Sequence, residues 1–92
     1  MRAAKVDGNH AEIVDALRAM GCSVQSLAKV GNGCPDVVVG WRGRNVLLEI
    51  KQEGETFTPA QKKWHAEYQG RAHVVRSIQE AVMVLQHETR QG

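Results

Sequence analysis

The 92-residue sequence has little of what marks several common protein classes. Aromatic residues make up 4% of it, and it contains two prolines and two cysteines. Cys22 and Cys34 are too few for a disulfide framework, so we expect reduced thiols that pack as small hydrophobic groups. No apolar run approaches the roughly 20 residues that cross a bilayer. The sequence therefore predicts neither a membrane protein nor one secreted through a signal peptide, and we expect it in the cytoplasm.

No charge of one sign dominates the chain. Lys and Arg number 12 and Asp and Glu number 10, which leaves a formal net charge of +2. This balance permits nucleic-acid binding without demanding it. Hydrophobic residues at 42% and charged residues at 24% are typical of a folded soluble domain. The length accommodates one core, and we interpret residues 1–92 as a single domain.

Hydrophobic periodicity predicts seven elements in the order α-β-β-β-α-β-α. The predicted helices are 9–20, 58–69 and 77 onward, and the predicted strands are 22–30, 36–41, 44–51 and 72–76. Capping boxes are predicted at Asn9 with Glu12, at Thr58 with Gln61, and at Ser77 with Glu80. Because the last strand follows a helix, it can run parallel to a neighbour. The fold class is α/β, with a mixed central sheet flanked by helices.

The second and third strands are separated only by Arg42-Gly43, which predicts a two-residue hairpin loop. Directly paired positions then place Asp36 opposite Glu49, and the two-residue period of a strand puts Lys51 on the face of Glu49. Two carboxylates opposed at about 5 Å destabilise a sheet unless a positive charge lies between them. The sequence therefore predicts a polar cluster at the open end of the hairpin.

A divalent cation would supply that positive charge. Carboxylate oxygens without His or Cys ligands nearby suit Mg²⁺ or Mn²⁺, and the main-chain carbonyl of Ile50 is a reasonable third ligand. A metal on Asp36 and Glu49 beside the Lys51 amine fits phosphodiester hydrolysis. The bland alternative is that Asp36 is a turn residue and that Glu49 and Lys51 lie on a solvated face. Against it, Glu49 interrupts an apolar strand, where an unpartnered carboxylate is costly.

Other sequence patterns give weaker evidence for a functional site. The four histidines and two cysteines lack the paired short spacings of zinc sites. Gly31-Asn32-Gly33 precedes a strand instead of opening a helix, so it does not predict a nucleotide cofactor, and we expect these glycines to permit a tight approach to the metal site or simply a turn. Basic residues at Arg42, Arg44, Lys62 and Lys63 are candidates for phosphate contacts, although a solvated surface explains them equally well.

The order of these motifs resembles a known family. Pro35-Asp36 followed by Glu49-Ile50-Lys51 is similar to the PD-(D/E)xK nuclease superfamily. The segment from Gly31 to Asp36, the helix start at Thr58–Gln61 with Trp64, and the strand at 72–76 resemble its VRR-NUC branch more narrowly. The resemblance spans about residues 9–85. It departs from the branch at Val75-Arg76-Ser77, where the second arginine of the signature is missing.

This resemblance implies a restriction-endonuclease-like αβββαβ core and a Mg²⁺- or Mn²⁺-dependent endonuclease. Its substrate would be structured DNA such as Holliday junctions, cut by a homodimer in a bacterial or phage-infected cell. Asp36, Glu49 and Lys51 match the catalytic motif, Glu12 is the candidate for an additional metal-binding acid, and Gln61 matches a catalytic glutamine. Glu12 and Gln61 also fit simple helix capping.

Two other functions stay open from the sequence. The chain could keep the nuclease fold and bind nucleic acid without cleaving it. It could also form a structural or regulatory dimer, in which case DNA binding would be negligible and insensitive to salt.

Overall fold

The structure is a computed structural model that describes residues 8–90. It contains three helices and four strands in the predicted order. The helices are α1 (His10–Ala19), α2 (Pro59–Glu67) and α3 (Ile78–Arg90), and the strands are β1 (Ser23–Ser26), β2 (Val37–Trp41), β3 (Arg44–Ile50) and β4 (His73–Val75). The single-domain interpretation of residues 1–92 stays a prediction, because 1–7 and 91–92 lie outside the described residues.

The four strands form one mixed sheet in the order β1-β2-β3-β4. β1 and β2 are antiparallel, as are β2 and β3, whereas β3 and β4 are parallel. The hairpin register confirms the prediction, since Val37 pairs with Leu48 and Trp41 pairs with Arg44. Arg42 and Gly43 both adopt positive φ, 53° and 79°. This backbone twist matches the twist of the strands and fixes the two-residue loop.

The hydrophobic core lies between one face of the sheet and the helices α1 and α3. Leu48 and Val75 project into it from the sheet, Ile13 and Leu17 from α1, and Leu85 from α3, and all five side chains are fully buried. Glu49 lies between Leu48 and Ile50 in β3, so its side chain projects from the opposite face. α2 contacts that second face at Glu49, through Gln61 and His65, and contributes no fully buried residue.

Two local predictions were wrong. The strand predicted at 22–30 ends at Ser26, because the Ser26 hydroxyl accepts from the Ala28 N–H and the Val30 N–H donates to the Leu27 carbonyl, which closes a turn. The Asn9 side chain does not cap α1. Its amide donates instead to the carbonyls of Lys51 (2.8 Å) and Arg76 (3.2 Å), which ties the start of α1 to the ends of two strands.

The described helices do not include one that is long and apolar enough to cross a bilayer.

Candidate functional site

Asp36 and Glu49 meet at the open end of the β2–β3 hairpin. Asp36 precedes β2, and its N–H donates to the carbonyl of Leu48 (3.1 Å), the residue that pairs with Val37. Its Oδ2 accepts from the Ile50 N–H at 2.6 Å. Asp36 lies close enough to Glu49 that its charge adds to burial in raising the pKa of the Glu49 carboxyl group. The predicted juxtaposition is therefore present.

Glu49 is the buried member of this pair, with 1% of its surface exposed. Burial, followed by the neighbouring Asp36 carboxylate, raises the pKa of Glu49 to about 7, against the lowering effect of Lys51. Its Oε2 accepts from Gln61 Nε2 at 3.2 Å, whereas Oε1 has no hydrogen-bond partner among the described residues. A buried carboxylate oxygen without a donor is costly, and it marks a position where a positive group is favourable.

Gln61 forms hydrogen bonds with both Lys51 and Glu49. Its Oε1 accepts from Lys51 Nζ at 2.6 Å and from the Thr58 N–H at 2.9 Å, while its Nε2 donates to Glu49. Lys51 is 3% exposed, and its amine also lies 3.8 Å from a Glu55 carboxylate oxygen. The sequence left open whether Gln61 caps a helix or serves the site. The Gln61 side chain completes the capping box of α2 and also contacts Lys51 and Glu49.

The start of α2 brings Gln61 to the sheet. Thr58 and Gln61 form the predicted capping box, and Pro59 occupies the first turn. Gly33, at φ +81°, packs against this turn so closely that a Cβ there would lie 2.1 Å from the Ala60 carbonyl oxygen. Only glycine leaves room for this contact, which is made with the backbone at the start of α2. The loop that leads to Asp36 and the helix that carries Gln61 are therefore packed together.

Two residues near the carboxylates were missed by sequence reasoning. His65 Nε2 lies 3.6 Å from Glu49 Oε1. Cys34 is partly buried, and burial together with Glu49 and Asp36 raises the pKa of its thiol. A signal for His65 was available, because it follows Gln61 by four residues and so lies on the same helix face. Cys34 lies in an irregular loop, where no periodicity places it.

Other predicted site residues lie apart from the carboxylate pair. Glu12 is exposed on α1, and no hydrogen bond or ion pair joins it to Asp36 or Glu49. Within residues 8–90, no three His, Cys, Asp or Glu side chains are grouped as a set of metal ligands. Of the acids predicted as metal ligands, Asp36 and Glu49 are therefore neighbours, and Glu12 is apart from them.

The predicted basic residues divide between two places. Lys62 and Lys63 are exposed on α2, beside Gln61, and Lys63 pairs with Glu67 at 2.9 Å. Arg42 and Arg44 are exposed at the hairpin turn. Glu49 follows Arg44 in β3 by five residue steps, which at about 3.3 Å each is roughly 17 Å. The site and the hairpin tip are therefore at opposite ends of the same strand pair.

Comparison with solved structures identifies the fold. A structure described as a "VRR_NUC domain" superposes with a TM-score of 0.65, covers 84% of this chain and 94% of its own, and is 23% identical in sequence. The chain has a VRR-NUC-like fold. No protein-family model and no curated protein matches the sequence. At this identity the likeness is one of fold, and it confirms the predicted restriction-endonuclease-like architecture.

The carboxyl groups of Asp36 and Glu49 have properties that suit a divalent metal. The buried Glu49 carboxyl group lies beside that of Asp36, its Oε1 has no donor, and its pKa is raised. Each of these features is relieved by a cation between the carboxylates. The donors are hard oxygens, which Mg²⁺ and Mn²⁺ prefer. The residues present therefore fit such an ion.

Proposed function

We propose that this protein is a Mg²⁺- or Mn²⁺-dependent endonuclease that hydrolyses phosphodiester bonds in branched DNA such as four-way junctions. The observation that carries the proposal is the pairing of Asp36 with the buried Glu49, beside the buried Lys51 amine. Apolar surroundings make such a cluster costly for folding. A role in catalysis explains why so costly a cluster lies at one end of a nuclease-type fold.

Asp36 and Glu49 would hold the metal through their carboxylates, with the Ile50 carbonyl as a third ligand. The Ile50 N–H donates to Asp36, and the N–H and carbonyl of one strand residue lie on the same edge, so this carbonyl faces the Asp36 side. When bound, the ion would lower the pKa of a water molecule and polarise a phosphoryl oxygen. Glu12, exposed on α1, is not needed as a ligand in this proposal.

The Lys51 amine would take part in the reaction without binding the metal. It is held at 2.6 Å by Gln61 Oε1, so it is positioned before substrate arrives. In this place the amine would orient the attacking water and stabilise negative charge that develops on the phosphate. Gln61 would act through the two residues it contacts, by fixing Lys51 with its oxygen and Glu49 with its nitrogen.

Basic residues near the two opposite ends of the β2–β3 hairpin would bind DNA. Lys62 and Lys63 beside the site would contact phosphates near the cut, and Arg42 and Arg44 would contact phosphates roughly 17 Å away. We further propose a homodimer, since cutting two strands of a symmetric junction requires two sites. Sedimentation equilibrium would measure the mass directly. Action on DNA also agrees with the expected cytoplasmic location.

Cleavage of labelled DNA tests this function. The protein would be incubated with four-way junctions, flaps and linear duplex in Mg²⁺, Mn²⁺ or EDTA. We expect metal-dependent cuts, strongest on branched DNA, that disappear in Asp36→Asn and Lys51→Ala while binding persists. Asp15→Asn and Lys29→Ala change exposed residues outside the site and serve as matched controls.

A non-cleaving nucleic-acid-binding module is the second candidate. It is favoured because, within residues 8–90, no three His, Cys, Asp or Glu side chains are arranged as a set of metal ligands. The same assay separates the two functions. Binding of junction DNA without cutting in any metal would support the module and contradict the endonuclease.

A further inference from the structure

Two buried polar atoms face each other beside the carboxylate pair. Glu49 Oε1 and His65 Nε2 are the buried side-chain nitrogen or oxygen atoms that lack a hydrogen-bond partner in the described part of the chain. They lie 3.6 Å apart, just beyond hydrogen-bond distance. Since buried polar atoms are nearly always paired, each is the natural partner of the other.

The surroundings of His65 hold its ring in this place. Phe57 stacks on the imidazole with ring centroids 4.5 Å apart and planes inclined by 15°. Trp64 contacts it edge-on at 5.1 Å. A ring packed on two sides has little rotational freedom, so a small shift of α2 is enough to close the gap to Glu49.

We propose that His65 is a positioning residue that donates its Nε2–H to Glu49 Oε1. Gln61 already donates to Oε2. Because Gln61 and His65 are four residues apart on α2, one helix face then holds both oxygens of the carboxylate. A carboxylate accepts at about four lone-pair sites, which leaves room for a cation on the same group. The effect on catalysis rests on the proposed function, whereas the hydrogen bond does not.

Two substitutions separate the hydrogen bond from packing. His65→Phe keeps a ring against Phe57 and removes the donor, and His65→Gln keeps a donor. His73→Phe is the matched control, because His73 also contacts a glutamate, Glu88, outside the site. Mn²⁺ affinity would be measured from the free-ion signal in electron paramagnetic resonance.

We expect His65→Phe to weaken Mn²⁺ binding by about 10- to 100-fold, as loss of groups that orient a metal ligand does. His65→Gln should recover most of the affinity, and His73→Phe should match the wild type. Equal affinity in wild type and His65→Phe would overturn the positioning role. Nitrogen coupling from His65 to bound Mn²⁺ would also overturn it, because the ring would then be a ligand.

Nuclear magnetic resonance of the wild-type, metal-free protein gives an independent test. Long-range ¹H–¹⁵N spectra distinguish the two tautomers of a neutral imidazole. The proposal predicts that the His65 proton is on Nε2 and that Glu49→Gln shifts this resonance. A proton on Nδ1 would overturn the proposal. If the wild type bound no Mn²⁺, the endonuclease proposal would fail, and these spectra would still decide the role of His65.

Discussion

Among residues 8–90, two pairs bring a histidine ring nitrogen close to a glutamate carboxylate. His73 Nε2 and Glu88 Oε2 are 2.6 Å apart, and Arg71 lies 3.4 Å from the same oxygen. The hydrogen bond from His73 lowers the pKa of Glu88. In the other pair, burial and Asp36 raise the pKa of Glu49.

The difference between the pairs comes from their neighbours. Glu88 is 15% exposed and has a cation beside it, whereas Glu49 is 1% exposed and has a second carboxylate beside it. The first arrangement favours the charged form and stabilises the fold. The second holds a carboxylate in an environment that disfavours its charge, as sites that bind cations do.

The largest expected effect comes from removing the acid of each pair. Glu49→Gln should lower DNA cleavage in Mn²⁺ by at least about 10²-fold, because it removes a charge from the metal site. Glu88→Gln should leave the cleavage rate within about twofold. Single-turnover cleavage of a labelled junction measures both. A comparable loss in both variants would remove the functional distinction between the pairs.

Gln61 provides the next test, since Glu49 has an amide donor where Glu88 has Arg71. Gln61→Ala should reduce cleavage by about 10- to 100-fold, because it frees Lys51 and one oxygen of Glu49. It should also lower stability by about 1 kcal/mol through loss of the capping box. Gln86→Ala, on an exposed position of α3, is the control for both measurements. Full activity of Gln61→Ala would leave Gln61 with its capping role alone.

The two pairs should respond to pH in opposite directions. The raised pKa of Glu49 means that its contribution to metal-free stability is present below about 4.5 and is lost as the pH rises through about 7. The melting temperature of the wild type in EDTA should therefore fall relative to Glu49→Gln between pH 5 and pH 8.5. At about 4–8 °C per kcal/mol for a chain of this size, differential scanning fluorimetry resolves the change.

The contribution of Glu88 to stability should have the opposite pH dependence. The lowered pKa of Glu88 gives stability that is present above about 4.5 and is lost as the pH falls through the lowered value. The wild type should therefore be more stable than Glu88→Gln at neutral pH, and the difference should vanish in acid. Parallel pH profiles for the two variants would contradict the assigned environments.

The smallest effect concerns the cations near each pair. Lys62 is exposed beside the site, whereas Arg71 contacts Glu88. Lys62→Ala should weaken junction binding a few-fold and reduce the salt dependence by about one phosphate contact. Arg71→Ala should change neither quantity. Fluorescence anisotropy at several salt concentrations measures both, and equal losses would place the DNA surface elsewhere.

Sequence reasoning predicted the elements that local rules determine. The hairpin register followed from Arg42-Gly43, and it brought Asp36 close to Glu49. The α2 capping box was equally local. The prediction that Asn9 caps α1 was wrong because it depends on tertiary contacts. Asn9 has the spacing of a cap, but its amide donates to two carbonyls at strand ends that are distant in sequence.

The missed parts of the site have the same cause. The contact between His65 and Glu49 depends on how α2 sits on the sheet, which the packing of Gly33 against Ala60 helps to fix. Helix periodicity placed His65 beside Gln61 but not above a strand. Turn formation at 27–30 likewise depends on the Ser26 hydroxyl, which an alternating hydrophobic pattern does not show.

The absence of any fully buried side chain in α2 gives this helix a use as a reporter. Contacts through Gln61 and His65 are a large part of what attaches it to the sheet, so occupancy of the carboxylates and local opening of the helix are thermodynamically linked. Amide hydrogen exchange along Pro59–Glu67 should slow when an ion tightens those contacts. Exchange rates in this segment would then follow the state of the site without any DNA being cut.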